Sequence, residues 1–298
     1  MKKVLLAGLL LAAVAGFAGM AQAEEKPLLR IGAKVFSEQR ILAQLTAQYL
    51  QAKGYRTRVI AGLGSSVSRS AQENGELDLV WEYTGTSLFA FNHQTDVLGR
   101  EASLKRVREL DGAKGLVWLE PSRFSNTYAL AVPRMIAERD GLSSISDLAR
   151  VVNGSDEPHL VALDIEFANR PDGLVPLVER YGLRLTRDEV RQMDPGLIYT
   201  ALRNAQAYAG LVYTTDGRLE AFGLALLEDD RHFFPDYTAA PVIRRDTLDA
   251  HPELAGLLSP LARLLDDDTM RALNARVDIG HETPAAVAAD FLRQHALL

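Results

Sequence analysis

No cysteine occurs anywhere in the 298 residues. That absence excludes disulfides, thiolate metal sites, a cysteine nucleophile and a cysteine for lipid attachment. Long apolar runs are scarce too. One stands at the start, Val4 to Met20, and none follows, so no membrane span is expected in the mature chain. A basic run is also missing. With a formal charge of -6, the chain is a poor candidate for nucleic-acid binding. Aromatic residues make up only 7% of the chain, so their positions carry information.

The apolar start has a meaning of its own. Lys2 and Lys3 precede it and Ala21-Gln22-Ala23 ends it, the pattern of a secretory signal peptide over residues 1–23. An exported chain without an anchor suggests the periplasm of a Gram-negative bacterium. Loss of the leader leaves about 275 residues and moves the formal charge to about -8. That length suits two modest domains.

After the leader, strand and helix signals alternate. Leu28 to Ile31 reads as a strand, and Ser37 as the N-cap of a helix ended by Gly54. Tyr55 to Ile60 alternates as a second strand, and Gly62 to Ser66 opens a second helix. The third strand lies in Leu77 to Thr86, LDLVWEYTGT, where Thr84-Gly85-Thr86 reads as a turn. The order β-α-β-α-β marks an open α/β sheet, and ligands gather beyond the carboxyl ends of such strands. Lys34, the Gly62–Ser66 loop and Tyr83 to Thr86 all fall there. Trp81 and Tyr83 fit either a binding rim or an ordinary core.

A second α/β unit follows over roughly 130–232, and a helical remainder closes the chain. No flexible linker separates the units, which predicts a hinged cleft crossed by strands. The predicted division is 24–129 plus 233–298 for one lobe and 130–232 for the other.

Enzyme motifs are weak. Gly62-Leu63-Gly64-Ser65-Ser66 lacks the Lys of a phosphate loop and reads as a helix start, whose amides remain free to face an anion. The six histidines are scattered without the i, i+4 spacing of a helical zinc site. No two carboxylates are marked as an acid–base pair, and Asp266 to Asp268 reads as a solvated helix face. The tyrosines say more. Tyr83, Tyr128, Tyr213 and Tyr237 stand at strand ends or crossovers. Each alone suits packing; together they suit an aromatic box for a quaternary ammonium, which rings hold by their faces.

Several ordered motifs extend this reading over nearly the whole mature chain. They are Gly32-Ala33-Lys34-Val35-Phe36-Ser37-Glu38-Gln39, Glu82-Tyr83-Thr84-Gly85-Thr86, Asn126-Thr127-Tyr128, Arg170-Pro171-Asp172-Gly173, Tyr213-Thr214-Thr215-Asp216-Gly217 and Tyr237-Thr238-Ala239-Ala240-Pro241. On these motifs the chain resembles the substrate-binding proteins of ABC importers for glycine betaine, choline and related osmoprotectants. The resemblance implies a type II periplasmic-binding-protein fold, two α/β lobes closing on a ligand. It implies that Tyr83, Tyr128, Tyr213 and Tyr237 box a trimethylammonium group. Lys34, Thr86 and Arg170 would hold the carboxylate, Arg170 from the opposite lobe. Asn126 stands where some members place an Asp whose backbone lines the box. Ala33 and Ser37 replace the family's usual Ser and Thr.

The implied protein is a monomeric receptor with no catalytic chemistry, cofactor or metal, which passes its ligand to an inner-membrane ABC permease. A carboxylate clamp favours a betaine over choline. Two alternatives stay open: the same fold with another small solute such as an amino acid, and a secreted hydrolase using cleft carboxylates. For Arg170 alone, an ion pair with Asp172 or Glu166 competes with the clamp.

Overall fold

The computed structural model describes residues 26–298, so the leader expected over 1–23 lies outside the described residues. Among the described residues, ten strands form two five-stranded sheets. They are β1 Leu28–Lys34, β2 Arg56–Leu63, β3 Leu79–Tyr83, β4 Leu116–Trp118, β5 Tyr128–Pro133, β6 Val161–Asp164, β7 Val190–Met193, β8 Ala209–Tyr213, β9 Leu224–Leu226 and β10 Ala239–Arg244. The first sheet runs β2-β1-β3-β10-β4 and the second β7-β6-β8-β5-β9. Each has three parallel strands at one side and an antiparallel strand next to them, β10 in the first sheet and β5 in the second.

The chain passes between the sheets along two segments that hold each other. Ser125 bridges Thr238, and the Asn126 amide donates to the Tyr237 carbonyl (3.1 Å). This topology gathers the tyrosines at one edge. Parallel strands β3 and β8 end at Tyr83 and Tyr213, while antiparallel β5 begins at Tyr128 and β10 begins two residues after Tyr237. Ends of one direction therefore meet beginnings of the other.

The first sheet buries Ile31, Leu79 and Trp81 against the helix Ser37–Ala52, whose Ile41, Leu42, Leu45 and Leu50 are fully buried. Trp81 is a core residue, not a rim residue, because its indole donates to Thr46 Oγ1 (2.9 Å) inside that interface. Ser37 does not cap the helix. Phe36 occupies the cap position without a side-chain bond, and the Ser37 hydroxyl is bound to Asp278 (2.5 Å). Asp266 is an N-cap rather than part of a solvated face: it accepts from the Thr269 amide and starts the helix Asp267–Asp278.

Two glycines shape the cleft edge. Gly62 has φ +85° at the point where the β1–β2 register slips between Ala33 and Lys34, a conformation that a side chain resists. Thr84-Gly85-Thr86 is no turn, for Gly85 is helical (φ -61°, ψ -46°) and leads into the π-helix Thr86–Phe91. Its lack of a side chain serves proximity: a Cβ there would lie 2.7 Å from the Tyr237 ring. No helix among the described residues is long and apolar enough to cross a membrane.

Candidate functional site

A cavity of about 370 Å³ lies between the sheet edges. Lys34, Tyr83 and Thr86 line it from the first sheet's side, and Tyr128 and Tyr213 from the second's, with Asn126 and Tyr237 at the crossings. Seven of the eight sequence-predicted residues thus meet in one place. Arg170 is brought to the cluster but not to the cavity lining.

The rings form a continuous cluster. Tyr128 and Tyr213 are register partners across β5 and β8, with centroids 5.3 Å apart. Tyr237 meets Tyr128 edge-on at 5.3 Å. Tyr83 joins through Phe36, which lies 6.2 Å from Tyr83 and stacks on Tyr213 at 5.4 Å. Burial raises the phenol pKa of Tyr83, Tyr128, Tyr213 and Tyr237, so all four stay neutral and keep electron-rich faces. Two protein cations already exploit those faces. The Arg170 guanidinium stands 5.7 Å from the Tyr128 centroid and 5.9 Å from Tyr237, and Lys34 Nζ stands 5.3 Å from Tyr83.

Neither cation is free of protein carboxylates. Lys34 Nζ donates to Glu82 Oε1 at 2.6 Å, both side chains being buried. Arg170 donates through Nε and a terminal nitrogen to Asp172 (2.9 and 2.5 Å) and stands 3.6 Å from Glu166. It also donates to Tyr237 Oη (3.1 Å). The ion pair weighed against the clamp is therefore present. Removing either partner of such a buried pair costs about 3–5 kcal/mol, so stability and recognition are entangled at Lys34.

Sequence reasoning missed three contributors. Phe36 fills the gap between Tyr83 and Tyr213; its place two residues after Lys34 was the available signal. Glu38 accepts from Tyr83 Oη (2.7 Å), Asn126 Nδ2 (2.8 Å), Thr215 Oγ1 (2.6 Å) and Asn274 Nδ2 (3.1 Å). Its burial raises its pKa while the four donors oppose that rise. Asp164 ends β6, caps the helix Ile165–Asn169 through the Phe167 amide (2.7 Å) and receives Tyr213 Oη at 3.4 Å. Burial lifts its pKa to about 6, helped by Glu166 and opposed by the Phe167 amide and Arg170. The start of the helix Ser65–Glu73 also reaches the cavity, through Gly64 and Ser65.

The arrangement offers aromatic faces and a titratable carboxyl for a cation, with a hydroxyl, an ammonium and helix-start amides for an anion. Among the described residues, no group of three or more His, Asp or Glu could hold a metal ion. A family model described as the substrate-binding domain of an ABC-type glycine betaine transport system matches residues 27–294. The chain belongs to that family. A glycine-betaine-binding protein of Pseudomonas aeruginosa is 57% identical, over 94% of this chain and 91% of its own. The glycine betaine-binding protein YehZ of Escherichia coli is 32% identical, over 89% of this chain and 90% of its own. A crystal structure titled as a glycine betaine/carnitine/choline ABC transporter is 28% identical. It superposes with a TM-score of 0.74, covering 90% of this chain and 99% of that one. The two-sheet α/β fold of the periplasmic binding proteins is thus the fold of this family member.

Proposed function

We propose that the chain is a periplasmic receptor that captures glycine betaine, or a close quaternary-ammonium relative, and delivers it to an ABC permease. Tyr83, Tyr128, Tyr213 and Tyr237 hold the trimethylammonium group by their faces, with Phe36 closing the cluster. Lys34, Thr86 and Arg170 serve the carboxylate, and Asn126 lines the box. Because Lys34 and Arg170 are also held by Glu82 and by Asp172 and Glu166, the ligand's carboxylate shares these cations. The Gly64–Ser65 helix start is a further anion partner.

The observation that carries this reading is the tyrosine cluster bordering a cavity between two sheets. Four neutral rings around one space suit a cation that has no hydrogen to donate. One lobe is built on the first sheet and the other on the second, close to the expected division but with Tyr128 and Ala129 on the second lobe as the start of β5, and the paired crossing segments serve as the hinge. The receptor acts as a monomer and performs no reaction.

Calorimetric titration of the mature protein with glycine betaine, choline, carnitine and proline betaine tests the proposal, beside a Tyr213→Ala variant. Saturable binding of a betaine, weakened at least about tenfold in the variant, is the expected result. No heat with any of the four would leave the fold intact and remove the ligand assignment.

A further inference from the structure

One carboxylate away from the cavity holds two of the elements that build its anion side. Asp111 lies in the last turn of the helix Arg100–Gly112 and is fully buried, and it is not among the residues that line the cavity. A negative charge at a helix C-terminus works against the helix dipole, so its own helix gives no reason for it. The reason lies in four donors from three other elements. Arg69 Nη2 (2.7 Å) comes from the helix Ser65–Glu73 and Trp118 Nε1 (2.7 Å) from β4. Ser87 Oγ (2.7 Å) and Asn92 Nδ2 (2.8 Å) come from the π-helix and its cap. Burial opposes the charge of Asp111, but Arg69, Asn92 and Ser87 outweigh it and hold the pKa below the usual carboxylate range.

Two of these donors account for the π-turn. Ser87 and Asn92 stand five apart in the chain, and the Asn92 backbone amide donates to the Ser87 carbonyl (3.0 Å), the bond that defines such a turn. The Asn92 side chain donates to the same carbonyl and to the Ser87 hydroxyl (3.0 and 3.2 Å). In an α-helix the neighbours on one face are three and four apart; the π-turn brings a pair five apart to one carboxylate. Its first residue is Thr86, which lines the cavity.

Arg69 ties in the adjoining helix. It follows Ser65 by one turn, and Ser65 lines the cavity beside Gly64. Its guanidinium also stands 5.2 Å from the Phe91 ring at the end of the π-helix, and its Nε donates to Glu73 (2.6 Å).

We propose that Asp111 is a positioning residue for ligand recognition. By fixing the π-turn it sets Thr86 against the ligand's carboxylate, and through Arg69 it sets the Gly64–Ser65 helix start. The inference rests on the betaine reading above and adds to it a residue that acts without touching the ligand.

A double-mutant cycle tests this. Glycine betaine is titrated calorimetrically into the full mature protein and into Ser87→Ala, Thr86→Ala and the double variant. Asp111→Asn, alone and with Thr86→Ala, is measured beside them. Ser87→Ala removes one donor to Asp111 and no group that lines the cavity. It is expected to weaken binding about fivefold in the unaltered background and less than about twofold in the Thr86→Ala background. Asp111→Asn should weaken binding at least as much, and its effect should shrink without vanishing in the Thr86→Ala background, because the Arg69 arm remains. A purely structural role would lower the urea midpoint and leave the affinity of the folded protein unchanged, which overturns the proposal. The same loss of affinity in both backgrounds overturns it too. Should Asp111→Asn fail to fold, the Ser87→Ala cycle decides. If the unaltered protein binds no betaine, the betaine reading falls and the role of Asp111 with it. If it binds and the cycle is additive, the positioning role alone falls.

Discussion

Asp164 gives the site a titrating group next to the rings proposed to hold a cation. Its carboxyl, lifted to about pKa 6 by burial, is ionised in only part of the population in mildly acid solution. A cation held beside Tyr213 favours the carboxylate, so the complex binds fewer protons than the free protein just below pH 6. By linkage, affinity for glycine betaine then rises as pH climbs toward and through 6, and levels off above it. A shift of one pKa unit in the complex makes the full rise about tenfold, of which about fivefold falls between pH 5 and pH 8. Titrations at pH 5 and pH 8 measure it, and Asp164→Asn, which keeps the helix cap, should flatten the profile. Equal affinity at both values in the unaltered protein would show that Asp164 does not sense the ligand. In the sequence this residue is one acid among 39, with nothing to set it apart. The four tyrosines are legible because each closes or precedes a strand signal. Glu38 is not, since a Glu in the first turn of a helix already has a local explanation in the helix dipole. Its partner Asn274 lies 236 residues away.

At the level of elements, the alternation of strands and helices is legible wherever a strand is buried on both faces, as β3, β5 and β6 are. The edge strands β7 and β9 escape notice. β7 has no buried residue, and β9 has three residues with one buried. The link from β3 into the π-helix Thr86–Phe91 was misread as a turn because Gly is ambiguous: it permits unusual backbone angles, and it permits close approach. Here only the second applies. Gly85→Ala therefore pushes a methyl into the Tyr237 ring at 2.7 Å, overpacking that costs typically about 1–3 kcal/mol. The expected outcome is a lower urea midpoint and weaker betaine binding, because the displaced ring belongs to the box. A variant as stable and as tight as the original would mean that Tyr237 has room to move without consequence.

The whole molecule is joined across the cleft by more than its two crossing segments. Ser65 donates to Glu166 (2.9 Å), Thr215 to Glu38 (2.6 Å), and Arg271 to the Thr214 carbonyl (3.4 Å). Each contact pairs a residue following a strand of the second sheet with one from the first sheet or its helices. Contacts of this kind can favour a closed arrangement around a ligand, and the ligand must supply differential binding energy to shift the balance further. The two-unit organisation is legible from the order of elements. The ties across the cleft are not, because they depend on pairs far apart in the chain. Competition between shape and charge can be separated with one compound. In 3,3-dimethylbutanoate a carbon replaces the quaternary nitrogen of glycine betaine, keeping size and carboxylate while removing the positive charge. Each cation–π contact contributes about 0.5–2 kcal/mol, so calorimetry should show this isostere binding at least about tenfold more weakly than glycine betaine. Equal affinity for the two would contradict the tyrosine box as a cation site and reduce it to an apolar pocket of suitable shape.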